Sequence, residues 1–129
     1  MQNIAVFADN DHPAIVKLAS QIGALAAQRN IRLHFPAGHF ADWVIEESKA
    51  PCVWYGCAAP SGPQRKVPTP PQGAAITHHI SQMPNIRSKA ALRLPDSQGL
   101  VVTWITNPDH VLPVILTHCQ GVLLVGTSE

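Results

Sequence analysis

Charged side chains are scarce in this 129-residue sequence, where Asp, Glu, Lys and Arg make up only 13% and the formal net charge is +1. The few basic residues form no stripe along the sequence. Because nucleic-acid binding depends on neutralising phosphates with Lys and Arg, this composition argues against a nucleic-acid partner. A surface so poor in charge is typical of proteins that cover part of it with another subunit, so we expect a homo-oligomer.

Cysteine is also sparse. Cys52, Cys57 and Cys119 form no CxxC pair and have no zinc-finger spacing. Neither a disulfide scaffold nor a structural zinc site is therefore expected, and no other cofactor is indicated. The first residues carry no basic segment of the signal-peptide kind, and no apolar run has the length of a membrane span. These features predict a soluble, cytoplasmic protein with no membrane partner.

What the sequence does contain is an alternation of short apolar runs with stretches of helical spacing. The runs that predict strands are Ile4–Ala8, Ile31–Phe35, Cys52–Ala58, Gly99–Ile105 and Gly121–Val125. Apolar residues at intervals of three and four predict helices over about 13–29, 40–49 and 85–94. Asn30 is a plausible stop for the first of these helices. Residues 106–109 resemble a helix cap, which predicts a last helix ending near Cys119.

This alternation predicts one domain over residues 1–129 with an α/β fold of Rossmann-like architecture. The expected form is a three-layer sandwich around a five-stranded, mainly parallel sheet. A proline-rich loop at about 60–73 interrupts the pattern. The expected strand order is 3-2-1-4-5. This order reverses between the first and fourth strands, and the reversal predicts a ligand crevice at their carboxyl ends.

Polar residues gather in the turns after three of the predicted strands. The turns contain Asp9–His12, His39, and the segment Asn107–His110. In the expected order these turns are neighbours, which would permit a metal site or a His–Asp acid/base pair. The alternative is that Asp and Asn cap helix starts while the histidines face solvent, and this is the interpretation we favour. No HxH or HExxH spacing supports a metal.

Several stretches resemble the LOG ("lonely guy") and wider SLOG superfamily of Rossmann-like nucleotide-binding proteins. The first strand at Ile4–Phe7 and the helix over Leu18–Ile31 look like the start of that fold. Asn85–Leu92 looks like its arginine-bearing helix, with Arg87 at the position of the functional arginine. Gly121–Gly126 looks like its last core strand. The resemblance implies a nucleotide-like ligand at the carboxyl edge of the sheet.

The sharpest motifs of that family are missing. Its members carry a Pro-Gly-Gly-x-Gly-Thr motif after the fourth strand, where this sequence reads Thr106–His110 with no glycine. The glycine cluster after the second strand is reduced to Gly38. Because glycine-rich turns bring backbone N–H groups to a phosphate, the resemblance implies a divergent member with little or no hydrolase activity.

We therefore expect binding of a small phosphorylated or nucleotide-like molecule. Gly38, His39 and Arg87 would hold its anionic group, and Asn10 and Asn107 would donate hydrogen bonds from the facing turns. Two other classes stay open. One is an active nucleotide or nucleoside hydrolase or transferase that uses His110 or His39 with Asp109 as its acid/base pair. The other is a non-catalytic assembly domain with an interface on its low-charge surface.

Overall fold

The computed structural model describes residues 2–8, 13–47, 51–57, 69–71, 74–80, 99–105 and 107–126. Its elements in chain order are β1 (Gln2–Ala8), α1 (Pro13–Gln28), β2 (Ile31–Pro36), α2 (His39–Glu47), β3 (Cys52–Cys57), β4 (Ala74–Ile80), β5 (Leu100–Ile105), a 3-10 turn (Pro108–His110), α3 (Val111–His118) and β6 (Gly121–Val125). All five predicted strands are confirmed, whereas the predicted helix over 85–94 and most of the proline-rich loop lie outside the described residues.

The helix boundaries follow from local chemistry. Asn30 has a φ of 55°, the left-handed conformation that ends a helix and that Asn tolerates better than most residues. The 3-10 turn before α3 is capped by Asn107, whose side-chain oxygen accepts a hydrogen bond from the N–H of Asp109 at 2.9 Å. In the described residues, no helix has the length and apolar character needed to cross a membrane.

The sheet is parallel throughout, and its strands lie in the order β4-β5-β3-β2-β1-β6. Numbered as the sequence predicted them, the five expected strands run 4-3-2-1-5, so the predicted order 3-2-1-4-5 is wrong. The reversal lies between β1 and β6, and β1 is separated from β5 by β2 and β3. The crevice expected between the first and fourth strands therefore does not form.

Burial explains why β3 occupies the middle of the sheet. Every residue from Cys52 to Gly56 is buried, which requires a neighbouring strand on each side and cover on both faces. By contrast, β6 has three consecutive exposed residues and lies at an edge. The sequence of β6, GVLLV, is as apolar as that of a central strand, so its local pattern does not reveal its edge position.

The two faces of the sheet carry separate hydrophobic clusters. Val6, Phe35 and Trp54 pack with Ile15 of α1 and Val44 of α2 in one cluster. Residues of the opposite parity in the strands join α3 in the other cluster, whose members are Ala5, Val53, Tyr55, Val101, Ile105, Val114 and Ile115. We call these the α2 face and the α3 face of the sheet. The complete three-layer arrangement stays a prediction, because residues 81–98 are outside the described part of the chain.

Candidate functional site

A cleft of about 280 Å³ lies where β2 ends and α2 begins, on the α2 face of the sheet. Its lining residues are Ala37, Gly38, His39, Asp42, Trp54 and Thr69. The connection from β2 to α2 is held against β3, because the N–H of Ala37 donates to the carbonyl of Tyr55 at 2.8 Å. The cleft therefore sits at the carboxyl end of two neighbouring strands, the usual ligand edge of a parallel sheet.

Gly38 lines the cleft and has open space beside it. A methyl group built on its α-carbon would meet no atom within 4 Å. Beside it, the His39 ring stacks on the Trp43 ring with centroids 6.1 Å apart. The cleft thus presents an imidazole on one wall and empty space next to the backbone of Gly38.

Two buried polar atoms of cleft-lining residues have no hydrogen-bond partner in the described structure. They are the indole Nε1 of Trp54 and Oδ1 of Asp42. Buried polar groups are nearly always paired, so an unpaired donor on one lining residue and an unpaired acceptor on another make this cleft a candidate place for a ligand or water to complete the bonding.

The carboxyl group of Asp42 is also perturbed electrostatically. Burial raises its pKa above the ordinary value, the negative charge of Glu46 raises it further, and His39 acts in the opposite direction. A raised pKa means that the carboxylate lacks the compensation it would have in water. A ligand that donates a hydrogen bond to Asp42 would restore that compensation.

The structure brings together two of the residues predicted from sequence, Gly38 and His39, in this cleft. Asn107, Asp109 and His110 lie instead in the turn after β5, which leads into α3 on the other face. Asn107 uses its side chain as a cap, and Asp109 is exposed. Since β3 lies between β2 and β5, His39 and the Asp109–His110 pair do not share the cleft.

The remaining predicted ligand residues, Asn10 and Arg87, lie outside the described residues, as does His12. The predicted rim of histidines required the turns after the first, second and fourth strands to be neighbours, and the observed strand order separates the fourth. Among the described residues, no group of three or more His, Cys, Asp or Glu side chains is arranged to hold a metal ion.

A second polar group, on the α3 face, was not anticipated from the sequence. Nε2 of His34 lies 2.9 Å from Oδ1 of Asn3, and Nδ1 of His34 lies 2.7 Å from the hydroxyl oxygen of Tyr55. The same hydroxyl oxygen lies 3.1 Å from Nδ1 of His118 at the end of α3. We call Asn3, His34, Tyr55 and His118 the four-residue network. Its three rings stack on one another with centroids 5.8 to 6.3 Å apart.

Burial shifts the ionisation of this network. His34 is fully buried, and burial lowers its pKa from 6.5 to about 3, with smaller contributions from the charges of His118 and Arg32. Burial also raises the pKa of Tyr55 well above 10. Both side chains are therefore neutral near pH 7, and the hydrogen bond between them joins neutral groups.

One sequence signal could have revealed the network. Arg32 and His34 are polar residues at alternate positions of a strand that the pattern predicts to be buried on both faces. Because side chains alternate between faces of a strand, both point to the same face, and a buried polar pair requires polar partners there. The partners come from β1, β3 and α3, and no local pattern identifies them.

Comparison with known proteins yields no match of the chain to a protein-family model, to a curated protein or to a solved structure.

Proposed function

We propose that this protein binds a small nucleotide-like molecule at the carboxyl edge of its sheet, with little or no hydrolase activity. The observation that carries the proposal is the cleft at Gly38 and His39, where Trp54 offers an unpartnered donor and Asp42 an unpartnered acceptor. The three cysteines are free, which favours the reducing cytoplasm as the setting.

The chemistry of the cleft favours the neutral part of such a ligand. Asp42 accepts hydrogen bonds, and none of the described residues that line the cleft is Lys or Arg. A phosphate next to an unpaired carboxylate would be repelled, whereas ribose hydroxyls or the amino group of a base would donate to it. We therefore assign the nucleoside portion to the cleft, which revises the expectation that Gly38 and His39 hold the anion.

The phosphate, in this proposal, extends out of the cleft. Arg87 stays the predicted anion contact, with Asn10 as a predicted donor. A volume of about 280 Å³ is just below the usual range for ligand pockets, which suits a nucleoside-sized group rather than a large cofactor.

Thermal shift and calorimetric titration with nucleosides, their 5′-phosphates and inorganic phosphate test the proposal. A bound ligand raises the melting temperature by mass action, and we expect this for nucleosides and nucleotides but not for phosphate alone. Asp42→Asn should weaken binding by roughly tenfold or more, the usual effect of removing a hydrogen bond to a charged group. Asp109→Asn, a change at an exposed carboxylate outside the cleft, is the matched control. If no nucleoside or nucleotide binds, the proposal is wrong.

A hydrolase or transferase is the alternative within the same ligand class. The predicted pair of His39 with Asp109 is not favoured, because the two residues flank different strands and only His39 lines the cleft. His110 with Asp109 stays a candidate, and Nδ1 of His110 is buried without a partner in the described structure. Release of free base or phosphate that disappears in Asp109→Asn would favour this alternative.

An assembly role is a second candidate, and one observation favours it. The edge strand β6 exposes Val122, Leu123 and Leu124, the last at 76%, and α3 exposes Leu112 and Leu116. An open edge with apolar side chains is suited to pairing with another subunit. Light scattering that gives a dimer for the wild type and a monomer for Leu124→Lys would support this role, and a wild-type monomer at high concentration would count against it.

A further inference from the structure

Strand β6 is an edge strand without the features that usually protect an edge. Among the described strands it pairs only with β1, and the register runs without a shift from Gly121, opposite Ile4, to Val125, opposite Ala8. Proteins usually protect such an edge with a charged residue, a proline or a bulge. The sequence has no Asp, Glu, Lys or Arg from residue 110 to residue 128, and β6 contains no proline. The strand therefore presents apolar side chains at an edge that its own sequence does not protect.

Asn3 shows which way the backbone of β1 points at this edge. Its N–H donates to Oε1 of Gln120 at 2.7 Å, and its carbonyl accepts from the N–H of Gln120 at 2.9 Å. Gln120 directly precedes β6, so both backbone groups of Asn3 point towards that strand. Because these groups alternate in direction along a strand, the odd-numbered residues of β1 point towards β6 and the even-numbered ones towards β2.

The register then gives the direction of the backbone groups in β6. In a parallel pair, a residue that points towards its neighbour bonds to the two residues that flank its opposite. Ala5 lies opposite Val122, so it bonds to Gly121 and Leu123. The N–H and C=O groups of Val122 and Leu124 consequently point away from β1, towards the outside of the sheet. These two residues also have the most exposed side chains of the strand, at 52% and 76%.

The apolar side chains of β6 lie on both faces of the sheet. Leu123 is opposite Val6 and therefore on the α2 face, whereas Val122 and Leu124 are on the α3 face with Ala5. With no charged side chain in this part of the sequence, β6 has nothing to attract a partner of opposite charge. A second copy of the chain offers the same outward backbone groups and the same apolar side chains.

A two-fold axis perpendicular to the sheet would bring two β6 strands together in antiparallel orientation, with like faces on the same side. With the axis at Leu123, all five residues of each strand are paired. Val122 lies opposite the partner's Leu124, and each of these two symmetric pairs exchanges both of its N–H···O bonds. Leu123 lies opposite the partner's Leu123 as a pair without hydrogen bonds, where side chains come closest. This register satisfies the outward backbone groups and covers the exposed side chains together.

We propose that two copies of the chain form a dimer by antiparallel pairing of their β6 strands about an axis at Leu123. The pairing joins the two six-stranded sheets into one. The inference rests on the assembly role given above as the second candidate, and it specifies the partner and the geometry. It does not depend on ligand binding, because the cleft lies at the ends of β2 and β3.

Analytical ultracentrifugation combined with hydrogen exchange tests the dimer. We expect a mass of twice 13.9 kDa at high protein concentration, with dissociation on dilution because the interface of two short strands is small. The amides of Val122 and Leu124 should gain protection as the dimer forms, whereas that of Leu123, which bonds to β1, should not change. A monomer at every concentration, or a dimer without this alternation, would overturn the proposal.

Two lysine variants separate β6 from α3 as the interface. Leu124→Lys should weaken dimerisation by about a hundredfold or more, because each dimer loses the burial of two leucines. Leu112→Lys is the matched control, since Leu112 is an exposed leucine of α3 outside the paired strands. It should dimerise as the wild type does. If Leu112→Lys dissociates the dimer and Leu124→Lys does not, the assembly role is retained but the β6 pairing is wrong.

Cysteine cross-linking tests the register. In the proposed dimer the α-carbons of the two Leu123 residues are about 4.5 Å apart, within the range that a disulfide spans, so Leu123→Cys should form a covalent dimer under mild oxidation. Leu124→Cys lies diagonal to its own copy at about 7–8 Å and should not. The wild type is the control for its native thiols, Cys57 and Cys119. Cross-linking of Leu124→Cys in place of Leu123→Cys would show that the register is wrong.

Discussion

Trp54 and Tyr55 are adjacent in β3 and are both buried, but they differ in whether their polar atoms have hydrogen-bond partners. The indole Nε1 of Trp54, on the α2 face, has no partner among the described residues. The hydroxyl of Tyr55, on the α3 face, lies within hydrogen-bond distance of two histidines. One strand thus carries an unpaired donor, on a residue that lines the cleft, and a doubly paired hydroxyl in the network.

This contrast separates two uses of a buried polar group. Each paired atom of the network has offset its desolvation cost inside the protein, so the network fixes how α3 sits on the sheet. The unpaired atoms at the cleft leave that cost uncompensated, and a ligand is the partner that would reduce it. A buried polar atom that is paired inside the protein therefore indicates stability, whereas an unpaired one on a residue that lines a cleft indicates binding.

The largest expected effect comes from removing a buried hydroxyl that is paired and comparing it with the removal of one that is not. Tyr55→Phe leaves Nδ1 of His34 and Nδ1 of His118 without their shared partner, which should lower the free energy of unfolding by about 2–4 kcal/mol. Thr103→Val is the matched change, since Thr103 is also fully buried but its Oγ1 has no partner in the described structure. It should be neutral or stabilising by about 1 kcal/mol. Urea unfolding of both variants measures the difference. An equal loss in the free energy of unfolding would mean that paired and unpaired hydroxyls do not differ in their contribution to stability.

The pH dependence of stability should show the next largest effect. The pKa of His34 is about 3 in the folded protein and 6.5 in the unfolded chain. The unfolded state therefore takes up a proton first as the pH falls, and stability decreases below pH 6.5 by about 1.4 kcal/mol per pH unit. At pH 4.5 this amounts to about 3 kcal/mol. The loss continues until the pH reaches the folded pKa.

Asp42 contributes to this profile with the opposite sign. Its pKa is raised in the folded state, so the folded protein binds the proton more readily, and acid favours folding at this residue. The contribution of His34 is isolated by comparing chemical denaturation of the wild type and His34→Gln from pH 7.5 to pH 4.5. The variant should be less stable at pH 7.5 but should lose less on acidification. Parallel curves for the two proteins would mean that His34 is not the titrating group.

The sequence predicts the elements of this fold better than their arrangement. The runs at Ile31–Phe35 and Gly121–Val125 are strands because short segments rich in large apolar residues pack well in a sheet. The position of β6 at the edge depends on what covers it, which its five residues do not encode. The strand Ala74–Ile80 was missed because it follows a proline-rich segment and contains two histidines, features that resemble a loop.

The candidate site, like the fold, could be predicted only in part, because some of its residues depend on how the chain packs. Gly38 and His39 follow a strand and begin a helix, so their place at the carboxyl edge could be inferred from position alone. Asp42 and Trp54 could not be identified in this way. Both have ordinary structural roles on a helix and a strand, and their significance arises only because the folded chain leaves one polar atom of each unpaired.

Two glycines near the ends of β2 and β3 differ in how much space lies beside their α-carbons, and this difference gives a further test. A methyl group at Gly56 would come within 2.5 Å of the ring of Trp54 and 2.8 Å of the ring of Trp104, which pack edge to face. Because Trp54 is fully buried and its ring cannot withdraw, Gly56→Ala should lower the free energy of unfolding by about 1–3 kcal/mol.

Gly38→Ala places the same methyl group in open space and should change stability by less than about 0.5 kcal/mol, as is usual for surface substitutions. The methyl group would instead occupy the cleft, so nucleoside affinity should fall in Gly38→Ala. Thermal unfolding and calorimetric titration measure both quantities on the same samples. Gly56→Ala is the control: as a substitution at a packed position, it should lower stability to the same extent with and without ligand. If Gly38→Ala also unfolds the protein, or binds nucleosides as the wild type does, the open space at Gly38 is not the binding site, and the unpaired atoms of Asp42 and Trp54 need another partner.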